Sequence, residues 1–184
     1  MRAERVGTAR SVETCKMTVG QFEGLGVAKK IEVLSDEGCP VAVIEAGVGD
    51  RDVYVRVVAA GNPNAPVEVI EAGVGDRDVY VRRAAAGNPN APVEVIEAGV
   101  RDGSWWVRRA AAGNPNAPVE VIEAGAGDGS WWVRRAAAGN PNITEAVAER
   151  LSRSKVVEIQ QALAKNPAVP DRIRVVAGLR VAGR

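Results

Sequence analysis

The fold is decided by residues 88–113, which read NPNAPVEVIEAGVRDGSWWVRRAAAG. Residues 114–139 repeat this stretch with two changes, Ala126 for Val100 and Gly127 for Arg101. Asn-Pro pairs mark the same 26-residue step along most of the chain, at residues 62–63, 88–89, 114–115, 140–141 and 166–167. A fixed period of this length indicates a solenoid, in which each repeat packs mainly on its two neighbours.

Each repeat contains two segments with the start and stop signals of short helices. In the first, Asp76 is placed to act as the N-cap, apolar residues follow at helical spacing, and Gly87 is placed to end the helix. This pattern predicts a helix of about ten residues. The second segment opens at Asn90 and Pro92 and ends at Gly99, so a shorter helix with proline in its first turn is expected.

A β-solenoid is the alternative, because the segment Pro-Val-Glu-Val-Ile-Glu alternates like a strand and a β-coil can have a similar length. The Ala-Ala-Ala triplets favour helices instead, since alanine is the best helix former and a poor strand residue. Isolated helices this short are marginal in water, so stacking must stabilise them. The sequence therefore predicts an all-α solenoid of stacked helix pairs.

The chain divides into an N-terminal cap at residues 1–35, tandem repeats at residues 36–167 and a C-terminal cap at residues 168–184. The first cap includes a segment, residues 27–34, that resembles a decayed repeat. The last cap is rich in arginine and apolar residues, which predicts a terminal helix with one apolar face. Such a helix would either close the stack or allow end-to-end self-association.

Composition limits the classes of partner. Hydrophobic residues make up 46% of the 184 residues but aromatic residues only 4%, so the core must be built from small side chains. The net charge of +1 gives no overall preference for nucleic acid or anionic membrane. Residues 1–10 are charged with no apolar run behind them, and no segment reaches the length of a membrane span, which predicts a soluble cytoplasmic protein without membrane contact.

No catalytic or metal-binding signature is present in the sequence. The chain has no histidine, the commonest general base and metal ligand, and Cys15 and Cys39 lack CxxC spacing. Reduced structural thiols are expected, with a disulfide or a shared metal as the alternative. The glutamates recur identically in each repeat, whereas an active site needs one asymmetric group, so they predict solvated faces. They are Glu68, Glu71, Glu94, Glu97, Glu120 and Glu123. We therefore expect no enzymatic activity and no cofactor.

A motif with five elements recurs in register: Asp76, Val81-Arg82, Ala85-Ala86, Asn88-Pro89 and Pro92. It is repeated across residues 36–142, and a degenerate copy continues to Pro170. This string resembles the leucine-rich repeat variant family. The resemblance implies a right-handed superhelix in which each repeat contributes one α-helix and one short α- or 3₁₀-helix.

The chain also departs from that family's pattern. Its period is slightly longer, and Ile70, Ile96 and Ile122 stand where leucine is expected. No leucine occurs between Leu34 and Leu151, so a strand-lined horseshoe of ordinary leucine-rich repeats is not predicted. Some family members carry an iron–sulfur module, but two cysteines cannot supply its usual four thiolates, and that cofactor is not expected here.

Two arginine ladders run through the repeats, Arg56, Arg82, Arg108 and Arg134 in the first and Arg83, Arg109 and Arg135 in the second. Helices of adjacent repeats lie about 8–10 Å apart, so stacked like charges need carboxylates nearby. The first ladder is therefore predicted to be partly buried along its alkyl stems and paired with acidic residues. The alternative is a basic stripe for an acidic partner or a nucleic-acid backbone, formed by Arg82, Arg83, Arg108, Arg109, Arg134 and Arg135.

Some repeats differ from the others at four consecutive positions. Arg77-Asp78-Val79-Tyr80 becomes Gly103-Ser104-Trp105-Trp106 and then Gly129-Ser130-Trp131-Trp132, and these are the protein's four tryptophans. Adjacent residues on a helix point about 100° apart, so at least one tryptophan of each pair should be partly exposed. Either the tryptophans fill a groove between repeats, or they form an aromatic patch for a protein partner.

These observations predict a non-enzymatic scaffold that mediates protein–protein interaction through an extended surface, with Trp105, Trp106, Trp131 and Trp132 as recognition residues. The first alternative is binding of nucleic acid or an acidic partner by the arginine stripe. The second is a recently expanded or designed array with no specific partner. Neither the partner's identity nor the oligomeric state follows from the sequence.

Overall fold

The structure is a computed structural model that describes residues 16–183. Every regular element in this range is an α-helix, and there are thirteen of them. In chain order they are α1 Val19–Glu23, α2 Val27–Leu34, α3 Val41–Val48, α4 Val53–Gly61, α5 Val67–Val74, α6 Val79–Ala86, α7 Val93–Val100, α8 Trp105–Ala112, α9 Val119–Ala126, α10 Trp131–Gly139, α11 Glu145–Ser152, α12 Val157–Lys165 and α13 Asp171–Ala182. The prediction of an all-α solenoid of helix pairs is confirmed, and its β-solenoid alternative is wrong for the described residues.

The helices alternate between two layers. The even-numbered helices pack closely on one another along the stack, and we call them the inner layer. The odd-numbered helices contact one another less, and each packs mainly on its inner-layer neighbours; they form the outer layer. Because contacts join successive repeats, the core is one continuous strip between the layers.

The inner-layer helices begin later than the sequence suggested. In α6 the N-cap is Asp78, whose side chain accepts a hydrogen bond from the Tyr80 N–H at 2.8 Å. The prediction that Asp76 caps this helix is wrong, because its Oδ1 accepts the N–H of Asp78 at 2.7 Å in a turn that precedes the helix. That turn leaves α6 with eight residues rather than about ten.

The outer-layer helices do not end at their glycine. Pro92 is the N-cap of α7, which continues through Gly99 to Val100 and has eight residues, as many as α6. The predictions that Gly99 ends this helix and that the helix is the shorter of the pair are therefore wrong. A Cβ at Gly99 would lie 2.8 Å from the Cβ of Ala86 and 3.1 Å from that of Ala111, so glycine is needed for close helix packing.

Core side chains are small in the middle of the stack and larger at both ends. In the middle repeats the buried residues are valine, isoleucine and alanine, with glycine at the close helix contacts. Near the N-terminal end Phe22 and Leu34 are buried, and near the C-terminal end Leu151 and Leu163 occupy positions that hold Gly125 and Ala137 one repeat earlier. The close contact through glycine is found in α3, α5, α7 and α9, and leucine replaces that glycine in α11.

A ladder of buried asparagines joins successive repeats. The Nδ2 of Asn114 donates to the carbonyl oxygens of Ala86 and Asn88 in the preceding repeat, at 2.9 Å each. Its Oδ1 accepts the N–H of Asn116 at 2.8 Å, so both polar ends of the amide are satisfied. Equivalent contacts to the preceding repeat are made by Asn62, Asn88, Asn140 and Asn166. This ladder explains why the Asn-Pro pairs are so regular.

The C-terminal helix packs differently from the prediction. In α13, Ile173 and Ala177 are buried against the stack, while Val175, Val176 and Leu179 are exposed. The helix therefore has apolar residues on more than one face, rather than a single apolar face. The division of the chain into caps and repeats stays a prediction.

Of the two cysteines, one lies within the described residues. Cys39 is buried just before the start of α3, whereas Cys15 lies outside the described residues, so the question of their pairing stays a prediction. Between residues 16 and 183 no helix is both long enough and apolar enough to span a membrane.

Candidate binding groove

The inner layer carries three parallel rows of residues on one face. They arise because positions 80, 83, 84 and 87 lie on the same side of a helix and recur every 26 residues. The aromatic row is Tyr54, Tyr80, Trp106 and Trp132; the basic row is Arg83, Arg109 and Arg135; and the small row is Ala84, Gly87, Ala110, Gly113, Ala136 and Gly139. We call the channel between these rows the inner groove.

The inner groove is open and continuous over three repeats. One part, of about 380 Å³, is lined by Arg83, Trp106 and Arg109 over a floor of alanine and glycine. The next part, of about 620 Å³, runs between Arg109 and Arg135 and reaches Lys165. The two parts share lining residues, so they form one channel suited to an extended chain rather than an enclosed pocket for a small molecule.

The four tryptophans form one stack that crosses the boundary between two repeats. The ring centroids of Trp105 and Trp106 are 4.3 Å apart, and those of Trp131 and Trp132 are 3.8 Å apart. Trp105 also stacks on Trp132 of the next repeat, with centroids 6.0 Å apart. Offset stacking at these distances is favourable, so the stack is a preorganised unit.

The stack exposes one ring of each pair, and that of Trp106 lines the groove. Trp106 is 40% exposed and Trp132 is 37% exposed, whereas Trp105 and Trp131 are half-buried and pack against the core. The expectation that at least one tryptophan of each pair is exposed is confirmed. Trp105 and Trp131 support the two exposed rings from behind.

Arginines of the basic row lie over the exposed rings. The guanidinium of Arg83 is 5.4 Å from the ring centroid of Trp106, and that of Arg109 is 5.7 Å from the ring centroid of Trp132. Each arginine therefore comes from the repeat preceding the tryptophan that it covers. These cation–π contacts hold the guanidinium groups at the groove.

The other arginine ladder is part of the fold. Arg82 donates from Nε to Asp102 Oδ2 at 2.7 Å and from Nη2 to Oδ1 at 3.3 Å. Its Nη1 donates to the carbonyl oxygens of Asp76 and Arg77, at 3.0 Å each. Arg108 makes the same contacts with Asp128, and Arg56 with Asp76. The predicted pairing of this ladder with acidic residues is confirmed, and it directs the guanidinium groups of Arg82 and Arg108 into the fold rather than towards a partner.

Arg134 is the exception in this ladder. Its Nη1 donates to the carbonyl oxygens of Asp128 at 2.6 Å and Gly129 at 2.9 Å. One repeat further, the position of the pairing aspartate is taken by Ser154, and Gln160 replaces the arginine. The Asp–Arg ladder therefore ends here.

The ladder lowers the pKa of its aspartates. Burial by itself would raise the pKa of Asp102, but the hydrogen bonds from Arg82 and from the N–H of Ser104 outweigh burial and hold this pKa below its ordinary value. The same balance, with their own partners, lowers the pKa of Asp50, Asp76 and Asp128. These carboxylates therefore stay ionised well into acidic conditions.

In the middle repeats the two layers carry opposite charge. Glu68, Glu71, Glu94, Glu120 and Glu123 are exposed on the outer layer, and Glu97 is half-buried there, which agrees with the expected solvated faces. The arginines of the groove lie on the inner layer. The small net charge of the chain thus hides a separation of charge between its two faces.

The tryptophans and arginines of the groove could be recognised from the sequence, but its floor and its two tyrosines were missed. Tyr54 and Tyr80 are 67% and 58% exposed in the same row as Trp106 and Trp132. The signal was present, because an aromatic residue, an arginine, an alanine and a glycine recur at i, i+3, i+4 and i+7, starting at residues 80, 106 and 132. This pattern was not recognised as a groove because alanine is also the best helix former and glycine also ends helices.

The fold is similar to that of a protein of known structure. A solved structure described as a leucine-rich repeat variant with a novel repetitive protein structural motif matches 93% of this chain and 75% of its own, with a TM-score of 0.60 and 20% sequence identity. No protein-family model and no curated protein matches the sequence. At this identity the match concerns the fold, and the resemblance to leucine-rich repeat variants is confirmed at that level.

Proposed function

We propose that this protein is a non-enzymatic scaffold that binds a protein partner in the inner groove, with Trp106 and Trp132 as the main contacts. The observation that carries this proposal is the tryptophan stack. It exposes two rings, covered by Arg83 and Arg109, along an open channel. Tryptophan, tyrosine and arginine are the residues that most often dominate binding energy at protein interfaces.

The arrangement supports binding because it is already assembled. Trp105 and Trp131 are half-buried and hold the exposed rings in place by stacking. Side chains that are ordered before binding lose less conformational entropy when a partner arrives. The same rigidity is expected of the repeat scaffold, whose ladders join every repeat to its neighbours.

A binding role also fits the rest of the chain better than catalysis. The fold is a repeat scaffold, and the glutamates recur at equivalent positions along its outer layer instead of converging on one point. The groove floor is alanine and glycine, which offer no acid, base or nucleophile. We therefore assign no reaction to this protein, and its cytoplasmic location stays a prediction.

A second candidate function is binding of nucleic acid or an acidic partner by the arginines. Arg83, Arg109 and Arg135 favour it, because across residues 16–183 no carboxylate lies within salt-bridge distance of them. Salt concentration separates the two candidates. Phosphate contacts would weaken steeply with ionic strength, whereas anchoring by tryptophan would tolerate salt.

The test is an affinity pull-down from cell extract at low and high salt, with the intact chain and a swapped chain. The swapped chain carries Gly103→Arg, Ser104→Asp, Trp105→Val and Trp106→Tyr, together with the same four changes at residues 129–132. These changes install the sequence of residues 77–80, which already folds at the equivalent position as the start of α6. The swapped chain is therefore expected to fold.

The proposed function expects a salt-resistant partner that the intact chain retains and the swapped chain loses. Circular dichroism of both chains verifies that the swapped chain is folded. An unchanged set of partners would make the tryptophans packing residues. A partner that disappears at high salt from both chains would favour the arginine stripe, and the lack of any partner would favour an expanded or designed array.

A further inference from the structure

We propose that the partner segment in the inner groove is an acidic peptide in polyproline II conformation, with a carboxylate at every third residue. This inference rests on the proposed function, in which the exposed tryptophans hold the partner at high salt, and adds acidic side chains of the partner that pair with the arginines of the groove. It starts from a difference between the two arginine ladders in their ion pairs with carboxylates. Arg82 and Arg108 each pair with an aspartate, whereas among residues 16–183 Arg83, Arg109 and Arg135 have no carboxylate within reach.

Two of these three arginines contact exposed tryptophan rings and can donate to carboxylates of a partner. The guanidinium groups of Arg83 and Arg109 lie over the rings of Trp106 and Trp132. A cation–π contact restrains a guanidinium but leaves its N–H groups free to donate, and two of them match the two oxygens of a carboxylate. The groove therefore offers restrained donors to an acidic side chain.

The spacing of the repeats selects the backbone conformation of the peptide. Helices of successive repeats in such stacks lie about 8–10 Å apart, so Arg83, Arg109 and Arg135 repeat at about that distance. A polyproline II helix has three residues per turn and rises about 9 Å per turn, so every third side chain points to the same side. A β-strand instead places same-side residues about 7 Å apart, and its register drifts from the ladder within three repeats.

The floor of the groove suits the other residues of such a peptide. Ala84, Ala110 and Ala136 with the neighbouring glycines leave room for proline rings or a closely approaching backbone. The ring of Trp106 forms an aromatic wall beside this floor, and Trp132 is exposed one repeat further along the same row. Grooves lined by aromatic residues are the usual receptors for polyproline II segments, because these segments are already extended before binding.

Single-stranded nucleic acid fits the groove less well. Bases bind such proteins by stacking on a free aromatic face. Trp106 stacks on Trp105 and its ring centroid lies 5.4 Å from the guanidinium of Arg83, while Trp132 stacks on Trp131 and Trp105 and its ring centroid lies 5.7 Å from the guanidinium of Arg109. These neighbours leave less free ring face for a base to stack on.

The test measures binding of two synthetic peptides to the full chain. The first contains four consecutive Glu-Pro-Ala units; the second has the same composition but all four glutamates at one end. Because all four tryptophans lie in the stack beside the groove, their fluorescence reports its occupation directly. The periodic peptide should bind at least about tenfold more tightly, since it places a glutamate opposite each of the three arginines, whereas the second peptide can place only its first and fourth glutamates at that spacing.

A matched pair of variants assigns the contact. The chain with Arg83→Gln, Arg109→Gln and Arg135→Gln should bind the periodic peptide at least about tenfold more weakly. Gln161 already occupies the equivalent exposed position in the next repeat, so this variant is expected to fold. The control with Arg51→Gln, Arg77→Gln and Arg153→Gln removes the same charge from exposed arginines outside the groove and should keep the affinity.

Three results would overturn the inference: equal affinity for the two peptides, no binding of either, or unchanged affinity in the groove variant. Tighter, stacking-dependent binding of a single-stranded oligonucleotide of thymidine would also overturn it, in favour of nucleic acid. The proposed function has its own test, because a salt-resistant partner that depends on the tryptophans would uphold a protein-binding groove even if the acidic peptide failed.

Discussion

The part of the array with tyrosine in its groove and the part with tryptophan have the same interior but different surfaces. Helices α6 and α8 cover equivalent residues one repeat apart, although α6 begins with Val79-Tyr80 and α8 with Trp105-Trp106. The side chain of Asp78 caps α6, whereas that of Ser104 forms no cap hydrogen bond in α8. Neither change moves the boundaries of the helix.

Contacts beneath the surface repeat almost without variation. The Nε to Oδ2 distance is 2.7 Å both for Arg82 and Asp102 and for Arg108 and Asp128. Asn88 and Asn114 likewise donate to equivalent carbonyl oxygens of the preceding repeat. The stack therefore does not need tryptophan for its interior packing, and the change from tyrosine is a change of the groove.

The largest expected loss of stability comes from the asparagine ladder. Replacing Asn114 with alanine leaves the carbonyl oxygen of Ala86 and the N–H of Asn116 without their partner, while the carbonyl oxygen of Asn88 keeps the N–H of Ala91. We expect Asn114→Ala to lower the free energy of unfolding by about 2–4 kcal/mol, because two groups lose their partner and a third loses its second hydrogen bond. Asn88→Ala in the tyrosine part should cost the same, which urea denaturation of both variants measures.

The control for this ladder is Asn116→Ala. Asn116 is exposed and donates one hydrogen bond to the carbonyl oxygen of Pro89, so its loss should cost under about 1 kcal/mol. Costs for Asn88→Ala and Asn114→Ala that differ by more than about 1 kcal/mol would show that the interiors of the two parts are not equivalent.

Close helix packing should give the next largest effect. A Cβ at Gly99 would lie 2.8 Å from Ala86 Cβ, and one at Gly73 would lie 2.9 Å from Ala60 Cβ. Because the facing alanines cannot turn aside, we expect Gly73→Ala and Gly99→Ala each to destabilise the protein by about 1–3 kcal/mol. Gly178→Ala is the control: it meets no atom within 4 Å, so it should raise thermal stability through helix propensity alone.

The aspartate ladder should give a smaller effect that depends on pH. The pKa values of Asp76 and Asp102 are lowered in the folded protein, so these groups stabilise it above the ordinary pKa of aspartate. That contribution is lost as the pH falls through the lowered folded-state values. Asp76→Asn and Asp102→Asn should each cost about 1–2 kcal/mol at neutral pH, because a partly exposed pair is partly screened.

Urea denaturation at neutral pH and at about pH 3 measures this dependence. Each variant should lose less stability on acidification than the unchanged chain does, and the two variants should behave alike. A larger acid sensitivity in either variant would show that hydrogen bonds from the arginines are not what lowers these pKa values.

The smallest effect on stability should come from the groove itself. Trp106 stacks on Trp105 and lies under Arg83, so Trp106→Ala should cost about 1 kcal/mol. Tyr80 is 58% exposed, and Tyr80→Ala should cost less than about 0.5 kcal/mol, as is usual for surface substitutions. A loss of several kcal/mol in Trp106→Ala, measured by urea denaturation, would place the stack in the core instead of the groove.

Much of the fold could be predicted from the sequence, because it follows from local signals repeated many times. The period, the alanines and the Asn-Pro pairs indicated the helix pairs and their stacking. The cap at Asp76 and the stop at Gly99 were wrong, since both residues serve contacts between repeats. Asp76 pairs with Arg56 of the preceding repeat, and Gly99 faces Ala86 and Ala111. Rules based on the local sequence do not take such contacts between repeats into account.

The candidate site could be predicted only in part. Its tryptophans and arginines stood out because they differ between repeats or carry charge. The separation of Arg82 from Arg83 into a structural ladder and a groove row depends on the angle between neighbouring helix positions and on where the next repeat lies. The stacking of Trp105 on Trp132 likewise joins residues of two repeats and needs the three-dimensional arrangement.

The most direct test of the tryptophan groove as a recognition surface compares two double variants in the pull-down from cell extract at high salt. Trp106→Ala with Trp132→Ala removes the exposed tryptophans, and Tyr54→Ala with Tyr80→Ala removes the two exposed tyrosines of the same row. If the tryptophan part of the inner groove is the recognition surface, the first variant loses the partner and the second keeps it. Retention of the partner by both folded variants, or loss from the tyrosine variant alone, would contradict that role for the tryptophans.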